Sequence, residues 1–307
     1  MARTRRVKSM AEGKAHYHLI SRACNRQFLF SKARTKDKLV ELVRKAAEFS
    51  GIDLEAAAMM DNHIHILCTV VRTGDKVPMD EVLRRIRVLK GDKAADQFAE
   101  RCGELAAAGF DATLEAELDR YRARMNDISE FMKTVKELFA IWFNREFDYC
   151  GSVWSGVFKS TMVEGGIYLA RCRRYIILNP VRAGIVSQIK DYRWVFARIA
   201  AENEVFSGCL PSGAPSGADG GRGCENVGAD VVGKALMRRV PQLGEGKIYG
   251  NVEFVGGWIT GLGGKFPAAH VCARAVGEIG FASHGWRIAE RAKCGCEKAV
   301  HEEPMRG

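Results

Sequence analysis

Apolar and polar positions near the start of the chain follow the pattern of short β-strands in three places. The three stretches are 15–23, 53–60 ("DLEAAAMM") and 63–70 ("HIHILCTV"), and the turn residues Asp61 and Asn62 join the last two. Between the first two, 35–51 carries apolar residues at helical spacing and ends at a glycine, which predicts a helix. The chain therefore opens with a β-α-β-β unit.

The apolar positions further along have mostly helical spacing. Residues 78–128 are charged and helical in pattern, and we interpret them as an insertion. An amphipathic helix is predicted over 128–147, a strand over 156–164 and a helix over 166–178. That last helix should stop at Asn179-Pro180, because the residue before a proline avoids the α conformation. The order β-α-β-β-α-β-α predicts an α+β fold, with a ferredoxin-like antiparallel sheet and its helices on one face.

A change in composition divides the chain after this unit. Residues 206–231 are rich in Gly, Ser, Pro and Ala, which predicts a flexible linker. We therefore expect a catalytic domain over 1–205, with the helical insertion at about 78–128, and a small module of unassigned role over 232–307.

The positive charge is confined to the first part of the chain. The net charge is +10, and residues 1–200 hold 35 Lys and Arg against 25 Asp and Glu, whereas the remainder is balanced. Such a basic module is typical of proteins that bind nucleic acid. A solvated basic surface without a partner is the alternative.

Other features of composition exclude several classes of protein. No apolar run approaches the ~20 residues of a membrane helix, and the basic N-terminus lacks the apolar segment of a secretory signal. The ten cysteines are scattered, with only Cys294 and Cys296 close together, so structural zinc has weak support. We expect free thiols, no membrane partner and a cytoplasmic location.

Two pairs of histidines alternate with single residues in strand-like stretches. Side chains two apart in a strand share a face, so His63 lies beside His65, and His16 beside His18. Each pair could be a metal site, because histidine is a common metal ligand, or two hydrogen-bonded core residues. The pattern alone does not distinguish these possibilities.

The last predicted helix carries two tyrosines on one face, Tyr168 and Tyr175, with Asn179 one turn beyond the second. Several arginines surround Tyr175, and a tyrosine in such a neighbourhood could meet a phosphate. For Tyr168 we favour a packing role.

The segments "MMDNHIHIL", "FMKTVKELFAIWFNREF", "GSVWSGVFKS", "YLARCRRYIILNPVRAGIV" and "DYRWVF", in this order, resemble the HUH-class single-tyrosine transposases, and among them the REP-associated tyrosine transposases. The resemblance covers about 14–196 and is interrupted by the insertion. It implies that His63, His65 and Asn179 bind Mg²⁺ or Mn²⁺, and that Tyr175 is the catalytic nucleophile. An amide oxygen suits such a hard cation, and three protein ligands leave positions open for phosphate and water.

The resemblance also implies the reaction and the partner. A metal-dependent endonuclease and strand transferase of this kind cuts single-stranded DNA beside a hairpin and forms a 5′-phosphotyrosine link with a free 3′-hydroxyl. No nucleotide cofactor is required. Candidate phosphate contacts and base-stacking residues are Lys159, Arg174, Arg182, Trp154, Phe158 and Trp194.

Two other functions stay open at this stage, as does the choice between monomer and homodimer. The chain could be a domesticated nucleic-acid-binding protein that keeps the fold without cutting. It could also be a metal-binding regulator that uses both histidine pairs with Cys294 and Cys296. The insertion could contact DNA or a partner.

Overall fold

Strands and helices alternate along the chain in the predicted order. The computed structural model describes residues 7–9, 11–198, 246–251, 254, 258, 271–276 and 279–284. Its strands are β1 (Gly13–Arg22), β2 (Ile52–Met59), β3 (His63–Arg72), β4 (Lys159–Val163), β5 (Val195–Ala197), β6 (Gly246–Asn251), β7 (Val271–Val276) and β8 (Ile279–His284). Its α-helices are α1 (Ala33–Ser50), α2 (Met79–Lys90), α3 (Asp92–Ala107), α4 (Asp111–Arg122), α5 (Ile128–Phe147), α6 (Ile167–Ile177) and α7 (Asn179–Arg182). The predicted α+β class is confirmed.

The strands form one sheet in the order β5-β2-β3-β1-β4-β6-β8-β7. Strands β2, β3, β1 and β4 pair antiparallel, which is the ferredoxin-like arrangement, and β5 extends it beside β2. Beyond β4, strand β6 pairs parallel through two residues, Ile248 and Tyr249. The long β1–β3 ladder places Ile20 opposite His65 and Arg22 opposite His63.

Helices cover both faces of this sheet, whereas the sequence led us to expect them on one face. The crossover helices α1 and α5 pack with Tyr17, Leu19 and Ile66 on one side. Helix α6 packs on the other side, where Ala58 and Leu67 form its contact surface. The reason is that both faces of the central strands are apolar, so each needs a covering layer.

The insertion consists of α2, α3 and α4, as its periodicity predicts, and has a small apolar core of its own. Val82, Ile86, Cys102 and Leu118 are buried in it, together with Phe49 from α1. The insertion is thus attached to the main fold through the end of α1.

Part of the C-terminal prediction lies outside the described residues. That holds for the linker predicted at 206–231, and for much of the 232–307 module, from which the structure describes β6, β7, β8, Phe254 and Trp258. In the described part of the chain, no helix is both long and apolar enough to cross a membrane.

Candidate active site

Strand pairing brings His18 of β1 next to the His63–His65 pair of β3. His18 Nε2 lies 2.9 Å from His65 Nδ1, and the two rings are stacked with centroids 5.1 Å apart. The His65 side chain is almost fully buried, and burial, followed by the neighbouring His63 and His18, holds its pKa well below the ordinary value. The His65 imidazole is therefore neutral at neutral pH. Because its Nδ1 faces His18, Nε2 is the nitrogen through which it would bind a metal.

His63 begins β3 and its ring is held by the preceding turn. Its Nδ1 is 2.6 Å from Asn62 Oδ1, and its ring centroid lies 4.9 Å from that of His65. The hydrogen bond fixes the ring orientation, so His63 would bind a metal through Nε2. Asn62 thus has a positioning role that the sequence pattern did not indicate.

The end of α6 and the short α7 bring Tyr175, Asn179 and Arg182 to the same place. Leu178 between these helices keeps near-helical angles (φ −79°, ψ −4°), so Tyr175 and Asn179 stay one turn apart on one face. Pro180 is tolerated because it lies in the first turn of α7, where its missing N–H costs no hydrogen bond. The Tyr175 ring centroid is 6.0 Å from those of both His18 and His65.

Arg182 connects the tyrosine to the asparagine. Its guanidinium lies 4.0 Å from the centre of the Tyr175 ring and donates to Asn179 Oδ1 at 2.9 Å. It also donates to the Tyr175 carbonyl. Burial lowers the pKa of this arginine, which nevertheless stays protonated.

These groups line one pocket of about 370 Å³. Its lining residues are Ile20, Arg22, Arg26, Met60, Asn62, His63, His65, Tyr175, Asn179, Arg182 and Ala183. Three arginines and no carboxylate are present among these described residues. Arg22 Nε, Arg182 Nε and Asn179 Nδ2 are buried without a hydrogen-bond partner in the described structure. Buried N–H donors normally find a partner, so the pocket is suited to an anion.

The predicted metal ligands His63, His65 and Asn179 all face this pocket. The two imidazoles would contribute nitrogen atoms, and Asn179 Oδ1 retains one lone pair beyond its bond to Arg182. Among the described residues, no group of three or more His, Cys, Asp or Glu side chains is arranged to hold a metal ion. Two imidazoles and one amide oxygen would suit a cation that takes its other ligands from phosphate oxygens and water.

His16 and Tyr168 lie outside the pocket lining. His16 Nδ1 is 2.8 Å from Thr69 Oγ1, and burial lowers the pKa of His16. Tyr168 is buried against Tyr249, with ring centroids 5.4 Å apart. The structure thus brings Tyr175 to the histidines and gives Tyr168 a packing position.

The predicted DNA contacts divide into exposed and buried groups. Lys159 is exposed at the start of β4, and Arg174 is half-buried on α6. Trp154 and Phe158 are each only 7% exposed and belong to the core. Little of their ring surface is therefore accessible to a base.

Trp194 is half-buried and donates to Asp37 Oδ1 at 2.8 Å. Two cations lie over its ring, with Lys36 Nζ 4.5 Å and the Arg193 guanidinium 4.9 Å from the ring centre. Part of the ring surface is therefore already used within the protein.

Two arginines of the pocket were not predicted. Arg22 shares a strand face with His16 and His18, so alternation alone could have suggested it. Arg26 follows in an irregular loop, and no periodic pattern indicates where its side chain lies.

Residues 12–104 match the model of the IS200-like transposase family. The family resemblance seen in the sequence is thereby confirmed for this part of the chain. The matched range contains both pocket histidines and ends before Tyr175. No curated protein matches the chain.

Two solved structures are similar to parts of the chain. One is a REP-associated tyrosine transposase bound to a REP hairpin, with 15% identity over 64% of this chain and 82% of that chain, and a TM-score of 0.39. The other is described as a transposase from Deinococcus radiodurans R1, with 16% identity over 61% and 98% of the two chains and a TM-score of 0.29.

Proposed function

We propose that this IS200-like transposase cuts and rejoins single-stranded DNA at sites beside a hairpin, with Tyr175 as the nucleophile. One observation carries the proposal. Tyr175, two histidines, Asn179 and three arginines face a single pocket in which no carboxylate lies among the described residues. Such a pocket suits a phosphodiester, which is an anion with two non-bridging oxygens.

The protein groups would first hold the scissile phosphate. Arg22 and Arg182 present buried donors to its oxygens, and the Asn179 amide adds a third. Their positions are fixed before the substrate arrives, so little reorganisation accompanies the reaction. A change in any of them should therefore affect phosphate placement more than folding.

Tyr175 would then displace the 3′-oxygen of the cut strand. Its phenol loses a proton, the phenolate oxygen forms a bond to phosphorus, and the bond from phosphorus to the 3′-oxygen breaks. The departing oxygen takes a proton and becomes a free 3′-hydroxyl, while the 5′ end stays attached to the tyrosine. Arg182 lies over the ring at 4.0 Å, where its charge stabilises the phenolate. Attack by another 3′-hydroxyl reverses these steps and joins strands.

A divalent cation, Mg²⁺ or Mn²⁺, would withdraw charge from the phosphate oxygens when bound. His63 and His65 would hold it through Nε2, and Asn179 through Oδ1. These three ligands are uncharged and the pocket lining offers no carboxylate among the described residues. Phosphate oxygens would therefore complete the coordination of the cation.

The proposal is tested by incubating the full chain with hairpin-flanked single-stranded DNA and Mn²⁺, followed by denaturing electrophoresis. A covalent protein–DNA band is expected for the native chain and for Tyr168→Phe, the matched control on the same helix. Tyr175→Phe removes one oxygen and should abolish the band without loss of DNA affinity.

The same assay tests the choice of histidines and the non-cleaving alternative. The double variant His63→Ala with His65→Ala should lose the band, and mass spectrometry of the native adduct should place the nucleotide on Tyr175. An adduct on Tyr168 would show that the assignment of Tyr175 as the nucleophile is wrong. Tight DNA binding by a native chain that forms no adduct would instead support a domesticated binding protein.

A further inference from the structure

The loop between β1 and α1 forms one rim of the pocket. Its two ends are attached to the turn before β3, since Ala23 N donates to Asn62 O and Phe30 N to Asp61 O, both at 2.8 Å. Between them, Asn62 Nδ2 donates to Arg26 O at 3.3 Å. The rim and the histidine-bearing turn are therefore held together by backbone and side-chain hydrogen bonds.

The backbone of this rim is unusual at two successive residues. Asn25 and Arg26 have φ values of 51° and 58°, in the left-handed region that residues with a side chain rarely adopt. The Arg26 side chain lines the pocket. The left-handed backbone is therefore found where the positively charged Arg26 side chain reaches the pocket.

Phe28 follows two residues later and points away from the core. It is 68% exposed, the highest value for a large apolar side chain in the described part of the chain. Its neighbours behave differently, because Leu29 packs on the core and Phe30 is fully buried. Two residues of chain span at most about 7 Å, so the backbone of Phe28 lies close to that of Arg26, which lines the pocket.

We infer that Arg26 and Phe28 form a nucleotide-binding rim: Arg26 contacts a backbone phosphate of the DNA strand, and Phe28 stacks on an unpaired base beside the scissile phosphate. Cationic side chains interleaved with exposed aromatic rings are the usual means of holding single-stranded nucleic acid. The inference rests on the proposed function and adds to it a base-binding residue.

The experiment measures binding of a fluorescent oligothymidine about 12 nucleotides long by anisotropy, with Tyr175→Phe in every chain to prevent cleavage. Phe28→Ala should weaken binding by about 5- to 150-fold, which is the range expected for loss of one stacked base. Phe28→Trp should keep the affinity. The matched control is Phe110→Ala, an aromatic residue 59% exposed on the insertion, which should leave binding unchanged.

Salt dependence separates the two residues of the rim. Phe28→Ala should leave the slope of log Kd against log salt unchanged, because stacking releases no counterions. Arg26→Gln should reduce that slope by about 0.7, the value for one phosphate contact on a single strand. Photocrosslinking to 5-iodouracil in the oligonucleotide should label Phe28, and fragmentation would distinguish it from the buried Phe30.

Several outcomes would overturn the inference while the proposed function stands. One is native affinity in Phe28→Ala together with normal covalent adduct formation by the chain that retains Tyr175. Another is a change in sedimentation of Phe28→Ala at unaltered DNA affinity, which would assign the residue to a protein interface. Failure of the native chain to bind single-stranded DNA would overturn both.

Discussion

His18 contacts His65 and determines which nitrogen of that ring is left to face a ligand. If His65 Nε2 binds a metal, its Nδ1 carries the proton and donates to His18 Nε2 over the observed 2.9 Å. His18 must then accept, so its own proton lies on Nδ1. His18 belongs with His16 to the histidine pair to which the family resemblance assigns no metal. Its ring nevertheless contacts His65, one of the two predicted metal ligands.

This role can be tested through metal affinity. His18→Leu removes the acceptor and should weaken Mn²⁺ binding about 10- to 100-fold in calorimetry, because partners of metal-bound imidazoles have effects of that size. His18→Gln keeps an acceptor oxygen and should retain most of the affinity. Melting temperatures of both variants control for folding. If His18→Leu and His18→Gln both fold and lose the same Mn²⁺ affinity, the hydrogen-bond acceptor at position 18 does not support metal binding.

The local part of the site follows from sequence patterns, and the non-local part does not. Strand alternation pairs His63 with His65, and helical spacing pairs Tyr175 with Asn179. The approach of Arg22 to His63 depends on the register between β1 and β3, which the sequence of neither strand reveals. The aromatic pattern likewise does not distinguish the core residue Trp154 from the exposed Phe28.

Helix α6 is attached to the sheet by a buried ion pair that lies near the nucleophile. A register shift in β2 at Glu55 marks a bulge, and Glu55 Oε2 accepts from Arg173 of α6 at 2.9 Å. Thr69 donates to the other carboxylate oxygen at 2.9 Å, and His16 contacts Thr69. This network accounts for His16 without a metal role.

Removal of the carboxylate should therefore loosen the helix that carries Tyr175. Glu55→Ala removes the carboxylate that binds Arg173 and Thr69 and should lower the free energy of unfolding by about 3 kcal/mol. It should also slow adduct formation more than it weakens DNA binding, since Arg173 is two residues from Tyr175. Urea unfolding and adduct kinetics measure the two effects.

Two further variants measure how much the burial of the Glu55–Arg173 ion pair contributes to the free energy of unfolding. Glu81→Ala breaks partly exposed ion pairs with Arg84 and Arg85 on α2 and should cost about 1 kcal/mol. The double change Glu55→Met with Arg173→Met replaces the ion pair by apolar packing and should recover much of the stability. If Glu55→Ala and Glu81→Ala lower the free energy of unfolding by the same small amount, the Glu55–Arg173 pair does not attach α6 to the sheet.

For the helices, the sequence predicts the first and last residues better than the face of the sheet against which each helix packs. The predicted helix at 128–147 coincides with α5, and the one at 166–178 with α6 within a residue at each end. The face of the sheet on which α6 lies was not predictable, because an amphipathic pattern shows which side of a helix is buried but not against what.

Across the whole molecule, the positive charge is separated from the helical insertion. Residues 78–128 hold 9 Lys and Arg against 11 Asp and Glu, although the first 200 residues together are strongly basic. Many basic side chains of the insertion are ion-paired, such as Arg87 with Asp92 and Asp96, and Arg122 with Glu115 and Asp119. The excess positive charge of the first 200 residues therefore lies outside the insertion.

This distribution predicts where DNA affinity originates. Arg22→Gln should weaken binding of single-stranded DNA and reduce the slope of log Kd against log salt by about 0.7, because one phosphate contact is lost. Arg87→Gln, on the insertion, removes the same charge but should change neither quantity, since its charge is already balanced by two carboxylates. Anisotropy titrations over a range of salt concentrations measure both. A weakening in Arg87→Gln that matches Arg22→Gln would instead place the insertion on the path of the DNA.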